Sequence, residues 1–112
     1  MKFVVQKYGG TSIGQADRMK SVALIVKDSL KQDRVIVALS AMSSYVKAEG
    51  TTSRLIEAAD AALKGKDYSK TIDMIEKHHV DAVKKLIKGK NKKKIITVLI
   101  YRQMMVFFLS YC

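Results

Sequence analysis

The chain opens on a short β-branched and aromatic run, Phe3-Val4-Val5, bounded within a few residues by the pair Gly9-Gly10. Its length and side chains predict a strand. From Gln15 to Lys31 the apolar positions Met19, Val22, Ala23, Val26 and Leu30 recur at helical spacing, with Asp17, Lys20, Lys27 and Asp28 on the other side. A second apolar run, Val35-Ile36-Val37-Ala38-Leu39, has no polar alternation and predicts a strand covered on both faces, as in a parallel sheet. Strand, helix, strand in this order make a βαβ unit whose ligand crevice lies at the carboxyl ends of the strands. Beyond a loop at 41–53, Leu55, Ile56, Ala59, Ala62 and Leu63 predict the buried stripe of another helix, ended by Gly65. A longer helix over 68–88 follows, with Tyr68, Ile72, Ile75, His79, Val83 and Leu86 along one face.

Composition changes this picture in one place. The length of 112 residues and the apolar share of 48% are those of one globular domain, and the net charge of +11 would ordinarily point to nucleic acid or an acidic membrane surface. Residues 1–83, however, hold 13 Lys and Arg against all 10 acids, whereas residues 84–112 hold eight basic residues and no acid. The excess is local, so neither a nucleic-acid nor a membrane partner is expected of the body of the chain. The shift divides it into a domain part at 1–88 and a divergent tail at 89–112, where a lysine run at 92–94 precedes an apolar stretch over 95–112. Arg102 lies near the middle of that stretch and makes it a poor membrane span, at a cost of about 2.5–3.5 kcal/mol; a terminal strand or helix, or sequence unrelated to the original protein, is expected there. The single Cys112 and the lack of a signal-peptide layout predict a cytoplasmic protein.

Candidate chemistry gathers at Lys7-Tyr8-Gly9-Gly10-Thr11-Ser12-Ile13-Gly14. Two glycines permit positive φ and close approach of a ligand to the backbone, Thr11 or Ser12 is placed to cap the next helix, and a helix N-terminus attracts anions. With Lys7 as a movable charge these are the parts of a phosphate cradle; an ordinary strand-to-helix turn is the plainer reading of the same residues. The second strand ends in Ser40-Ala41-Met42-Ser43-Ser44, which brings a hydroxyl-rich loop to the same edge and favours the cradle. Thr51, Thr52 or Ser53 serves as a helix cap or contacts a ligand. His78 and His79 are adjacent, face different sides of a helix and read as structural. No metal site and no nucleophilic triad is suggested by spacing.

Three stretches, VVQKYGGTSIG at 4–14, VIVALSAMSS at 35–44 and KAEGTTSRLIEAAD at 47–60, resemble the N-terminal part of aspartokinases, a branch of the amino-acid kinase family, and the last looks most like fungal members. HHVDAVKKLI at 78–87 is similar to a family helix. The resemblance covers residues 3–88. It implies a three-layer α/β/α amino-acid-kinase-like fold with a mainly parallel sheet, present as a truncated piece. It also implies phosphorylation of L-aspartate by ATP with Mg²⁺, the first step toward threonine, methionine and lysine. On this resemblance Lys7 would be the catalytic lysine neutralising the transferring phosphoryl group. Gly9, Gly10, Thr11, Ser12 and Ser40 would bind the ATP phosphates, and Ser12, Ser40, Thr52 and Ser53 would bind aspartate. Ser53 stands where the family has asparagine. Two further family motifs, a glycine-glutamate pair and an arginine-glycine-glycine-serine-aspartate stretch, do not occur, so an incomplete site is expected. An open sheet edge would then favour self-association. The alternatives are a noncatalytic phosphate-binding module, or a membrane- or RNA-binding protein acting through residues 84–112.

Overall fold

A computed structural model describes residues 1–98. Strand β1 (Phe3–Tyr8) leads through a 3₁₀ turn (Gly10–Ile13) into helix α1 (Ala16–Ser29), which returns the chain to strand β2 (Arg34–Leu39). A second 3₁₀ turn (Lys47–Glu49) precedes helices α2 (Thr51–Leu63) and α3 (Ser69–Leu86), and residues 91–98 are again helical. The remainder of the terminal element expected at 95–112 lies outside the described residues. The α/β class and the parallel pairing are both present: β1 and β2 run parallel in a register that sets Val5 against Ile36 and Tyr8 against Leu39. The chain divides into two compact units at Ile56/Glu57, and none of its described helices is long and apolar enough to cross a membrane.

In the first unit the alternation of β1 decides what faces what. Val4, Gln6 and Tyr8 are half-buried on one side, while Phe3, Val5 and Lys7 are exposed on the other. Helix α1 covers the first side, where the Gln6 amide donates to the Ser29 hydroxyl at 2.7 Å and the Tyr8 hydroxyl donates to Gln6 Oε1 at 3.0 Å. The expectation that β2 is covered on both faces is not met. Ile36 is 53% and Leu39 60% exposed, because the described sheet has two strands and Ile36 shares the open face with Phe3 and Val5. The core of this unit lies instead where its loops meet, at Ile13, Ala16 and Met42.

Helix α2 is rotated relative to the expected stripe. Leu55, Ile56 and Leu63 are exposed, whereas Thr51 and Ala58 are buried and Arg54 and Ala61 half-buried. Those four share one helical face. The Thr51 N–H donates to the Met42 carbonyl at 3.1 Å, and this anchor fixes which side of the first turn points inward.

In the second unit, Gly65 ends α2 as expected and does so at φ +65. The Lys66 N–H reaches the Ala61 carbonyl at 2.8 Å and the Gly65 N–H the Ala62 carbonyl at 3.0 Å, the paired bonds of a Schellman stop. Nothing lies within 4 Å of the position a Cβ would take, so the only cost of a side chain is conformational. The substitution Gly65→Ala should lower stability by about 1 kcal/mol, read as a shift of the urea midpoint with an unchanged slope. Helix α3 buries Ile75 and Ala82 and half-buries Ile72, His79, Val83 and Leu86, much as its periodicity predicts. His79 Nδ1 bonds the Ile75 carbonyl at 2.8 Å, which supports its structural reading. Before this helix, Asp67 accepts the Ser69 N–H at 3.0 Å and the Ser69 hydroxyl at 2.9 Å, and these bonds hold its carboxyl below the usual carboxylate range.

Candidate functional site

The two motif loops meet at the carboxyl ends of the strands. Ser40 extends the pairing by donating its N–H to the Tyr8 carbonyl at 3.1 Å, and the Ser43 N–H donates to the Gly10 carbonyl at 3.0 Å. The Thr51–Met42 bond then brings the start of α2 to the same junction. Lys7, Gly10, Ser40, Ser43 and the first turn of α2 are thus gathered by backbone bonds that each belong to this unit.

The glycines divide into two kinds. A Cβ on Gly14 would overlap the Ser43 carbonyl oxygen and come within 2.9 Å of its carbon. On Gly10 it would overlap the Ala41 carbonyl oxygen and come within 2.8 Å of Ser43 Cβ, and on Gly50 within 2.7 Å of Ser43 Oγ. Three glycines therefore close around the 41–43 segment and let the loops touch. Gly9 is different: it is exposed and nothing lies within 4 Å of its absent side chain. Neither Gly9 nor Gly10 uses positive φ, which among described residues is confined to Gly65 and Gly89, so conformational freedom is not what this turn requires of them.

The capping roles expected for the hydroxyls also differ. Residues 10–13 tighten into the 3₁₀ turn, and α1 begins later, with Gln15 at its N-cap and no side-chain cap bond. Thr11 and Ser12 are exposed within this turn. At α2 the cap position belongs to Gly50, whose carbonyl accepts the Arg54 N–H at 3.1 Å. Thr51 and Thr52 consequently lie inside the helix. Thr52 is exposed, while the Ser53 hydroxyl is turned inward and donates to the Lys47 carbonyl at 2.8 Å.

Lys7 lies on the open face of the sheet, next to last in β1 and opposite Ala38. On the α1 side a cleft of about 320 Å³ is lined by residues that include Tyr8, Thr11, Ser12, Arg18, Ser21 and Tyr45. Lys7 and this cleft therefore occupy opposite faces, with the exposed Gly9 at the edge between them. The Arg18 guanidinium donates to the Thr11 carbonyl and lies 4.4 Å from the centre of the Tyr45 ring. Sequence reading assigned Arg18 and Tyr45 no role. The available signal was an arginine one helical turn beyond Gly14, on the polar side of a helix entered from the glycine turn. Among described residues no group of His, Cys, Asp and Glu is arranged to hold a metal ion.

Comparison with known proteins gives a consistent result. No protein-family model matches the chain. Over 94 residues, 84% of its length, it is 42% identical to the aspartokinase of Candida albicans, and over 89 residues 43% identical to that of Saccharomyces cerevisiae. A shorter stretch of 55 residues is 47% identical to the aspartokinase of Helicobacter pylori. The chain spans 17% of the length of each fungal relative and 12% of the bacterial one.

Proposed function

We propose, for a chain that is similar to fungal aspartokinases over most of its length, that its strand-end rim is part of an ATP- and aspartate-binding site. The reaction served is transfer of the γ-phosphoryl group of ATP to the side-chain carboxylate of L-aspartate. A carboxylate oxygen bonds to the γ-phosphorus, the bond to the β–γ bridging oxygen breaks, and ADP leaves with 4-phospho-L-aspartate as the other product. Such a step depends on positioning and neutralisation of charge. Lys7 is the cation for the transferring group, and Gly9, Gly10, Thr11, Ser12 and Ser40 form the phosphate rim. Ser12, Ser40 and the exposed Thr52 are the aspartate contacts. The Ser53 hydroxyl already donates to the Lys47 carbonyl and has its lone pairs left for a ligand. Mg²⁺ enters with ATP as part of the substrate, held by its phosphates. The proposed setting is cytoplasmic, at the first step toward threonine, methionine and lysine, and self-association through the open strand edges accompanies it.

The observation that carries this reading is Gly9. It is the one glycine of the two loops with open space where a side chain would be, and it directly follows β1, two residues after Lys7. Isothermal titration with MgATP and with L-aspartate tests the proposal. The chain should bind both, and Gly9→Ala should keep the wild-type melting temperature while weakening MgATP about tenfold or more, the effect of losing about one charge-assisted hydrogen bond. A chain that ignores MgATP, or a Gly9→Ala variant that binds it unchanged, would overturn the reading.

A further inference from the structure

We propose that Arg18 is a positioning residue for the phosphate rim, and that Tyr45 holds Arg18 in place; this rests on the ATP-binding reading above. Three elements contribute. Helix α1 supplies Arg18, the glycine turn supplies the Thr11 carbonyl, and the loop after β2 supplies Tyr45.

The Thr11 carbonyl already accepts the Gly14 N–H at 3.5 Å, a long bond for an N–H donor. A guanidinium donating to the same oxygen is the stronger tie, because a charged donor bonds about twice as well as a neutral one. The turn it holds spans four residues and has no side-chain cap of its own. Its hydroxyls, Thr11 and Ser12, are exposed, so α1 restrains it through Arg18 at Thr11, one of the proposed phosphate contacts.

Tyr45 completes the arrangement. Tyr45 is 81% exposed, yet the Arg18 guanidinium sits 4.4 Å from the centre of its ring. That distance is within the reach of a cation–π contact. A planar guanidinium can lie flat on a ring and donate in its own plane at the same time, which an ammonium cannot do. The pair therefore links the loop after β2 to the glycine turn by a route independent of the Ser43–Gly10 backbone bond. The same two side chains line the cleft together with Tyr8, Thr11, Ser12 and Ser21.

Consequences differ between variants. Arg18→Met keeps the aliphatic stem against α1 but removes both the donor and the charge. Arg18→Lys keeps a charged donor and loses the flat stack. Tyr45→Phe keeps the ring, and Tyr45→Ala removes it. A residue that merely stabilises the fold would lower the melting temperature in proportion to any loss of binding, and the conservative partner would not restore binding selectively.

The experiment is titration of the full chain and these four variants with MgATP, alongside amide hydrogen exchange over residues 10–14 without ligand. Expected are about a tenfold loss of MgATP affinity in Arg18→Met, an intermediate loss in Arg18→Lys, a smaller loss in Tyr45→Ala and wild-type affinity in Tyr45→Phe. Exchange at Ser12 and Ile13 should rise in Arg18→Met while the β1 and β2 amides stay as protected as in wild type. Tyr45→Ala combined with Arg18→Met should be no worse than Arg18→Met alone. If the wild-type chain binds MgATP and Arg18→Met binds it equally, the positioning role is overturned and the ATP reading stands. Binding lost in parallel with protection of β1 and β2 would also overturn it, since the residue then acts on the fold. If the wild-type chain does not bind MgATP, the ATP reading falls and the positioning role with it.

Discussion

Gly14→Ala should yield little folded protein, with a loss of at least about 3 kcal/mol, the upper end of ordinary overpacking. The added methyl would overlap the Ser43 carbonyl oxygen and stand 2.9 Å from its carbon. Both belong to backbone, which cannot swing aside as a side-chain tip does. Relief would require the 41–43 segment to retreat, and that retreat would stretch the Ser43–Gly10 and Thr51–Met42 bonds that hold the loops together. The conformation at Gly14, φ -73 and ψ -11, is one any residue adopts, so the penalty is entirely one of space. Circular dichroism and urea unfolding of the variant read the effect. Gly50→Ala is the internal comparison: its new methyl would crowd the Ser43 hydroxyl, the movable end of a side chain, while the Lys47 carbonyl oxygen at 3.4 Å and Ser43 Cα at 3.6 Å are at ordinary contact distance, and its cost should be visibly smaller. A Gly14→Ala variant as stable as wild type would show that the loops do not meet as described.

How far this was legible from the sequence depends on what each residue responds to. The β1–α1–β2 order and the parallel pairing follow from local signals, because strand runs and helical spacing register contacts that a short segment makes with whatever covers it. Gly65 was legible for the same reason: a helix stop needs only its own last turn and a residue that tolerates positive φ. The inward side of α2 was not. Its larger apolar residues define one stripe, but Thr51, tied by its N–H to the Met42 carbonyl, is the buried residue of the first turn, and Leu55 and Ile56 are exposed. The glycines were legible as important, but the positive φ expected at Gly9 and Gly10 is not used. Periodicity and composition cannot distinguish a glycine needed for ligand approach from one needed for loop packing, and here Gly10 and Gly14 pack while Gly9 stays open. Hydroxyl caps were misplaced because the chain interposes a 3₁₀ turn before α1 and sets Gly50 at the cap position of α2. The Arg18–Tyr45 pair joins residues 27 positions apart in sequence, a separation at which no local pattern operates.

The second large effect concerns Lys7. Substituting alanine should reduce MgATP affinity by about a hundredfold, since a cation facing a phosphate is worth about 1.5–3 kcal/mol where water is partly excluded. The fold should not register the change: Lys7 is exposed on the open sheet face and takes no part in ion pairs such as Lys31–Asp28 and Lys64–Asp60. Lys7→Arg should recover part of the affinity, because the charge is kept at a different reach. Calorimetric titration at two salt concentrations separates this from diffuse attraction. ATP is itself a polyanion, and the run Lys92-Lys93-Lys94, with Lys84, Lys85, Lys88 and Lys90 before it, offers a competing cationic surface with no acid from residue 84 onward. Binding through that run would be weak, steeply salt-dependent and indifferent to Lys7.

Mapping bound nucleotide residue by residue tests the central claim most directly. In amide nuclear magnetic resonance spectra of the isotopically labelled chain, saturating MgATP should move the signals of Gly9, Gly10, Thr11, Ser12 and Ser40 and leave those of Lys92, Lys93 and Lys94 in place. Shifts confined to the lysine run, or no shift at the rim, would contradict the account.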